Sequence, residues 1–213
     1  MSKVTTSFVE GVLFALLLLS GCESKNDENK KVPSGADGVE KTQKIDFDEV
    51  SKAGYKEVDL NDIFKDTAKI APDGKYMVII FDSKNCKYCK KLRVDVSRNP
   101  KLKEKLRNSF SSYSLDVGIN RVHKLFHNSK FMDVDTKTLA DIYRIQATPT
   151  IIFSDKAAKT ILVVPGYMSP KQFLVTLEFI EQGLWLDKDR KNGEVYEVLK
   201  KFYVNKGILR EKK

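Results

Sequence analysis

The stretch Met77-Val78-Ile79-Ile80-Phe81-Asp82-Ser83-Lys84-Asn85-Cys86-Lys87-Tyr88-Cys89-Lys90-Lys91-Leu92 runs from an unbroken apolar segment, through a short polar loop, into two cysteines. Five apolar residues from Met77 to Phe81 show no alternation, the pattern of a strand covered on both faces. Leu92 and Val96 then follow Cys89 at helical spacing, so the cysteines open a helix. At such a start the unpaired backbone N–H groups and the positive end of the helix dipole favour a thiolate over a thiol. Lys84, Lys87, Lys90 and Lys91 add positive charge nearby, which lowers the expected thiol pKa and makes Cys86 the expected nucleophile. Cys89, one turn deeper and shielded, is the expected resolving thiol.

The 213 residues provide one ordinary domain plus extensions, and 41% hydrophobic with 31% charged residues is the balance of a soluble globular protein with a single core. The formal charge is +9, but the lysines are spread along the chain without a base-reading motif. The charge reads as a solvated basic surface, and nucleic acid is not an expected partner. Only three cysteines are present, and each takes a separate role: two form the Cys86-x-x-Cys89 pair, and Cys22 ends an N-terminal apolar segment. A structural disulfide is the plain alternative for the pair, though structural pairs seldom open a helix inside a lysine cluster. Zinc needs about four ligands, and two cysteines with two histidines, His123 and His127, would have to supply them all. The histidines read as packing or surface residues of an inserted segment, and no metal or organic cofactor is expected.

Residues 1–21 carry Lys3, an apolar run from Val12 to Leu19, and Ser20-Gly21 directly before Cys22. The run is shorter than the roughly 20 residues a membrane span requires, so it reads as an export signal. Leu19-Ser20-Gly21-Cys22 resembles the bacterial lipobox, in which the chain is cut before the cysteine and that cysteine is lipidated. A signal with an incidental cysteine, or an uncleaved anchor, is the alternative. Residues 22–54 form the expected tether, and from Glu23 to about Lys44 they are almost devoid of apolar side chains and cannot fold alone. A flexible segment of that kind reaches roughly 25 Å on average.

The folded domain is expected over residues 55–186. Leu60, Ile63 and Phe64 after Asp59 predict a first helix with Asp59 as N-cap. Pro72-Asp73-Gly74 predicts a turn, and Asn99-Pro100 a break between the cysteine helix and a second piece carrying Leu102 and Leu106. Tyr113, Leu115 and Val117 alternate as a strand ending at Gly118. Residues 119–135 fit a hairpin turning at Asn128-Ser129. Thr136 is the expected cap of a helix reaching Tyr143, with Leu139, Ile142 and Tyr143 on its apolar side. Ile151 to Phe153 and Ile161 to Val164 predict an antiparallel pair. Ser169-Pro170 opens a helix whose face is Phe173, Leu177, Ile180 and Leu184. A last helix near 193–205 makes residues 187–213 a C-terminal helical extension.

This order of elements resembles a thioredoxin fold over roughly residues 57–184: an α/β protein with a central mixed sheet flanked by helices, an inserted hairpin and an extra C-terminal helix. The resemblance rests on Phe81 through Leu92, on Ile145-Gln146-Ala147-Thr148-Pro149-Thr150 and on Pro165-Gly166-Tyr167. It is similar to the exported thiol:disulfide oxidoreductases of the SoxW and DsbC-related kind. The resemblance implies that Pro149 is cis, that its loop lies against the cysteine pair, and that Thr148 and Pro149, with Lys87 and Tyr88, meet substrate. It also implies exported protein thiols and disulfides as substrates, a membrane electron donor of the DsbD or CcdA type, and attachment to the membrane through a lipid on Cys22. The expected location is then the periplasm or extracytoplasmic face.

Departures from cytoplasmic thioredoxin are plain: no Trp precedes Cys86, the intervening dipeptide is Lys87-Tyr88, and Ile80 stands where thioredoxin keeps a buried Asp, with Asp82 two residues on. Tyr88 before the second cysteine, with Thr148 before the proline, is more like the isomerase and reductase branch. Reduction or isomerisation of exported proteins, including cytochrome c maturation, is the expected activity. The competing readings are a copper chaperone of the Sco type, whose cysteines are spaced one residue further apart, and a non-catalytic binding module.

Overall fold

A computed structural model of the chain describes residues 58–210. The expected export signal, Cys22 and the tether lie outside the described residues, as does Tyr55 at the expected start of the domain. In chain order the elements are β1 (Phe64–Lys65), β2 (Lys69–Ile70), β3 (Tyr76–Asp82), α1 (Lys87–Arg98), α2 (Pro100–Asn108), β4 (Phe110–Asp116), β5 (Val122–His127), β6 (Lys130–Asp135), α3 (Thr136–Ile142), β7 (Thr150–Ser154), β8 (Thr160–Pro165), α4 (Pro170–Glu181) and α5 (Glu194–Asn205).

β3 is the middle of a five-stranded sheet ordered β1-β4-β3-β7-β8. It runs parallel to β4 and antiparallel to β7. Its alternate side chains enter two separate cores, as the period of two in a strand requires. Val78 and Ile80 join Leu92, Val96, Leu102, Phe173 and Leu199 from α1, α2, α4 and α5. Met77, Ile79 and Phe81 join Tyr113, Leu125, Val134 and Leu139 on the other face. Covering on both sides is why the run lacks polar alternation.

The second face is closed by a three-stranded sheet, β2-β5-β6. The expected hairpin is present, with His127 opposite Lys130 across the two-residue turn Asn128-Ser129. His123 is buried inside it: Nδ1 lies 2.7 Å from the Thr67 carbonyl oxygen and Nε2 lies 2.8 Å from the Thr136 hydroxyl. His127 is exposed at the far end of the strand. Among the described residues, no group of three or more His, Cys, Asp or Glu side chains is arranged to hold a metal.

Several local expectations hold at the level of individual hydrogen bonds. Asn99 ends α1 and caps α2, its side chain accepting from Leu102 N at 3.0 Å, with Pro100 in the first turn. Ser169 forms a full capping box with Gln172 at the start of α4. α5 is no loose appendage, because Val195 and Leu199 are buried in the first core.

Other expectations are corrected. Residues 59–64 do not form a helix: Leu60 O accepts from Ile63 N and Phe64 N, both at 2.9 Å, and the chain then becomes the edge strand β1 beside β4. Leu60 and Ile63 are still buried, because one turn brings i and i+3 together as a helix would. β4 begins at Phe110, not Tyr113. Its early residues Ser111 and Ser112 look polar, yet both are buried and donate their hydroxyls to Pro72 O at 2.7 Å and Leu106 O at 3.0 Å. The cap of α3 is Asp135, whose side chain accepts from Thr138 N at 2.7 Å. Thr136 is the first helical residue, its hydroxyl committed to His123. Ile142 faces outward at 55% exposure, and Leu184 lies beyond the end of α4.

Candidate redox site

The sheet register assembles the site. In the β3–β7 ladder Phe81 faces Thr150, so the loop leaving β3 and the loop entering β7 meet at one edge. The first brings Cys86 and the second brings Thr148 and Pro149, which are joined by a cis peptide bond. Cys86 caps α1 with extended backbone, φ −83° and ψ 109°, and its sulfur accepts from Cys89 N at 3.1 Å. A twelve-residue helix thus starts at the sulfur. Its dipole and that N–H both favour negative charge there.

Cys86 and Cys89 are joined as a disulfide, with Cα atoms 5.2 Å apart. Cys89 is 2% exposed, whereas Cys86 is only half-buried, so the first cysteine is the more accessible of the two. Cys86 Sγ also lies 3.2 Å from the Thr148 carbonyl oxygen, within reach of an S–H donor when the pair is reduced. Pro149 O accepts from Gly166 N at 2.7 Å, tying a third loop to the same place. Gly166 has φ +92°, a conformation that disfavours any side chain. A groove of about 590 Å³ runs beside the cysteine loop, past Ser83, Lys84, Asn85, Lys90 and Ile119.

The four lysines separate into two groups. Lys84, Lys87 and Lys90 are exposed and form no ion pair among the described residues, while Lys91 is paired with Asp95 at 2.8 Å. Burial opposes the charge on Lys91, but the bonds to Asp95 and Tyr167 outweigh it and hold its pKa above the ordinary value. Lys91 Nζ also sits 4.7 Å from the centre of the Tyr167 ring, whose hydroxyl donates to Asp95. Burial, reinforced by Asp95, pushes the Tyr167 pKa up to about 12. The Tyr88 ring is 6.3 Å from Tyr167, tilted by 35°, with Lys87 Nζ 5.3 Å from its centre.

Beneath the cysteines, Asp82 is buried and its Oδ2 accepts two bonds from Arg93, one from Nε at 2.7 Å and one from the terminal Nη2. These residues and Cys89 wall a cavity of about 10 Å³, close to the least that holds a water.

Cys86, Cys89, Lys87, Tyr88, Thr148 and Pro149 therefore come together in one place, and Cys22 lies outside the described residues. The expectation passed over Asp95 and gave Tyr167 and Arg93 no role at the site. An acid closing an apolar strand, as Asp82 does, is the one local sign that a cation must lie nearby.

A thioredoxin-like domain family matches residues 63–181, and the chain belongs to that family. A thioredoxin-fold protein from Helicobacter pylori is 34% identical, with the alignment covering 74% of this chain and 96% of that one at a TM-score of 0.65. A thioredoxin from Thermus thermophilus is 20% identical over 54% of this chain and 88% of its own, with a TM-score of 0.39. No curated protein matches the chain. The architecture is a thioredoxin fold, and with its close Cys86–Cys89 pair it fits thiol–disulfide redox chemistry.

Proposed function

We propose that the protein carries out thiol–disulfide exchange on exported proteins, as a reductase or isomerase, from a lipid anchor on Cys22 at the extracytoplasmic face of a membrane. The observation that carries the chemistry is the half-buried Cys86 sulfur at the start of α1, receiving Cys89 N–H and facing the Thr148 carbonyl. In the reduced protein the Cys86 thiolate attacks one sulfur of a substrate disulfide. The substrate S–S bond breaks, a Cys86–substrate bond forms, and the other substrate sulfur leaves as a thiolate that takes up a proton. Cys89 then loses its proton and attacks Cys86 Sγ, closing the Cys86–Cys89 disulfide and releasing the second substrate thiol. Two electrons pass from the protein dithiol to the substrate, and a donor protein dithiol restores them. A membrane donor of the DsbD or CcdA type and a role in cytochrome c maturation follow from the resemblance and the expected location.

The decisive experiment is trapping. Cys89→Ser keeps the first step and blocks the second, so covalent mixed disulfides that dissolve in reductant should accumulate on Cys86, and Cys86→Ser should give none. Equal recovery from both variants would remove the exchange assignment. Labelling of the full chain by a radioactive fatty acid, lost in Cys22→Ala, tests the anchor separately.

A further inference from the structure

We propose that the tip of the β5–β6 hairpin, Phe126 to Met132, dips into the headgroup layer of an anionic membrane and so sets how the domain stands on the lipid surface. The inference rests on the proposed function only for the location at a membrane, and it is independent of the thiol chemistry.

Successive side chains of a strand point to opposite faces, so a strand packed on a protein body alternates between covered and open positions. β6 does not: Lys130, Phe131, Met132 and Asp133 are all exposed, and burial returns only at Val134. On the partner strand Leu125, opposite Met132, is the last buried residue before the turn. Beyond that level the hairpin stands clear of the core on both faces, by roughly 7–10 Å at about 3.3 Å per residue. An amphipathic element lying at a lipid surface sinks its apolar side by roughly 5–10 Å, the same depth.

The projecting tip is apolar on both faces and basic around them. Phe131 is 45% and Met132 42% exposed, on opposite faces of the strand. Phe126 meets Phe131 edge to face at 5.3 Å, and Lys69 Nζ lies 4.9 Å from the centre of the Phe131 ring. Lys69 and Lys130 are exposed and form no ion pair among the described residues. Asp133, the one acid between Val122 and Asp133, is paired with Lys124 at 3.3 Å. The tip therefore carries two uncompensated cations beside its rings, the complement of anionic lipid phosphates over an apolar layer. A client protein or a second copy would cover one face of the hairpin and leave the other apolar side chain in water, whereas fluid lipid surrounds the tip and covers both.

Such a small patch is too weak to hold a free protein on a membrane. A lipid on Cys22 and the expected tether keep the domain within roughly 25 Å of the surface, which turns insertion into an intramolecular step. Ile119 borders the groove beside Ser83, Lys84 and Asn85, and the six residues of β5 lead from that neighbourhood to the tip, on the order of 20 Å. With the tip down, the dithiol stands out in the water layer, where exported chains reach it.

The test places a reporter at the tip of the full-length protein, reconstituted into vesicles of phosphatidylcholine alone or of equal parts phosphatidylcholine and phosphatidylglycerol, with brominated acyl chains as quencher. Trp185, the single tryptophan, is 3% exposed and stays dark to the quencher in the wild type. Phe131→Trp should be quenched and blue-shifted in the anionic vesicles and far less in the neutral ones. Leu186→Trp, at another exposed position, should not be quenched in either. Adding Lys69→Gln and Lys130→Gln to the tip reporter should lower the ratio of inserted to free tip on the order of tenfold, with thermal unfolding unchanged. Flotation of the chain with the vesicles reads the anchor separately. A chain that floats without quenching of the Phe131→Trp reporter overturns the tip and leaves the anchor standing, and a chain that neither floats nor is quenched defeats both. Equal quenching of the Leu186→Trp reporter, equal quenching in neutral vesicles, or a blue shift that follows protein density without quenching, as a second copy would give, also overturns the inference.

Discussion

Replacing Arg93 by Met isolates what the buried Asp82 requires of its partner. Asp82 is 5% exposed at its side chain and Arg93 is 40% exposed, so one member of the pair is sunk in protein and the other reaches water. Oδ1 keeps its bond from Ser83 N, but Oδ2 loses both donors from Arg93. Breaking a fully buried pair costs about 3–5 kcal/mol, and an exposed one about 0.2–1 kcal/mol. With only one partner buried, and the open half screened, the expected loss is about 2–3 kcal/mol. Met keeps the apolar stem that covers the cavity behind Cys89, so the loss measures the stranded carboxylate. For a domain of this size that is a drop in Tm of roughly 5–10 °C. Urea unfolding at pH 7 with an unchanged m-value is the assay. Asp82→Asn combined with Arg93→Met removes the charge along with its partner and should recover about half of the loss. A single variant within about 0.5 kcal/mol of wild type, or a double variant worse than the single, would refute the reasoning.

At the hairpin tip, Ser129 has φ +64° and follows Asn128 at φ +48°, the pair of left-handed residues for which Asn-Gly is favoured. Ser129→Gly relieves about 1–2 kcal/mol of backbone strain and returns about half of it to the unfolded chain's freedom, for a net gain of about 0.5–1 kcal/mol. A lower Tm in calorimetry would contradict this. Tyr167, raised to about 12 by burial and by Asp95, favours the folded state when protonated. Its contribution is complete below the ordinary tyrosine value near 10 and disappears as pH rises through about 12. The ultraviolet difference between wild type and Tyr167→Phe should therefore show phenolate absorbance appearing near the upper value, and a midpoint near 10 would sink the assignment.

The central strand and the site's first half were legible because they depend on local rules. An apolar run covered on both faces, a cysteine at a helix start, Asn99-Pro100 and Ser169-Pro170 each announce themselves within a few residues. The hairpin at 122–135 was the hardest stretch to read, because Leu125-Phe126 and Phe131-Met132 break the alternation of a strand and only the turn pair Asn128-Ser129 between two apolar-containing runs pointed to it. Residues 59–64 failed for a physical reason: one turn gives the same i, i+3, i+4 spacing as a helix, and six residues cannot separate the two. Ser111 and Ser112 hid the start of β4 because their partners, Pro72 and Leu106, lie outside the strand. Asp135 and Thr136 are both good caps side by side, and the choice fell to His123, which claims the threonine. The second half of the site was out of reach because Tyr167 and Asp95 are 72 residues apart, so nothing near either one names the other.

The distance between the dithiol and the proline loop is set by the pairing of Phe81 with Thr150, not by the connections between them. The hairpin of β5 and β6 belongs to a different sheet, paired with Lys69–Ile70, yet its Leu125 and Val134 share one core with Phe81 of the central strand. A foreign hairpin grafted there would have to keep an apolar pair where Leu125 and Val134 stand, whereas the outward-facing Lys124 and Asp133 are open to change. A one-residue deletion inside either central strand would turn every later side chain to the opposite face and dismantle the centre at once.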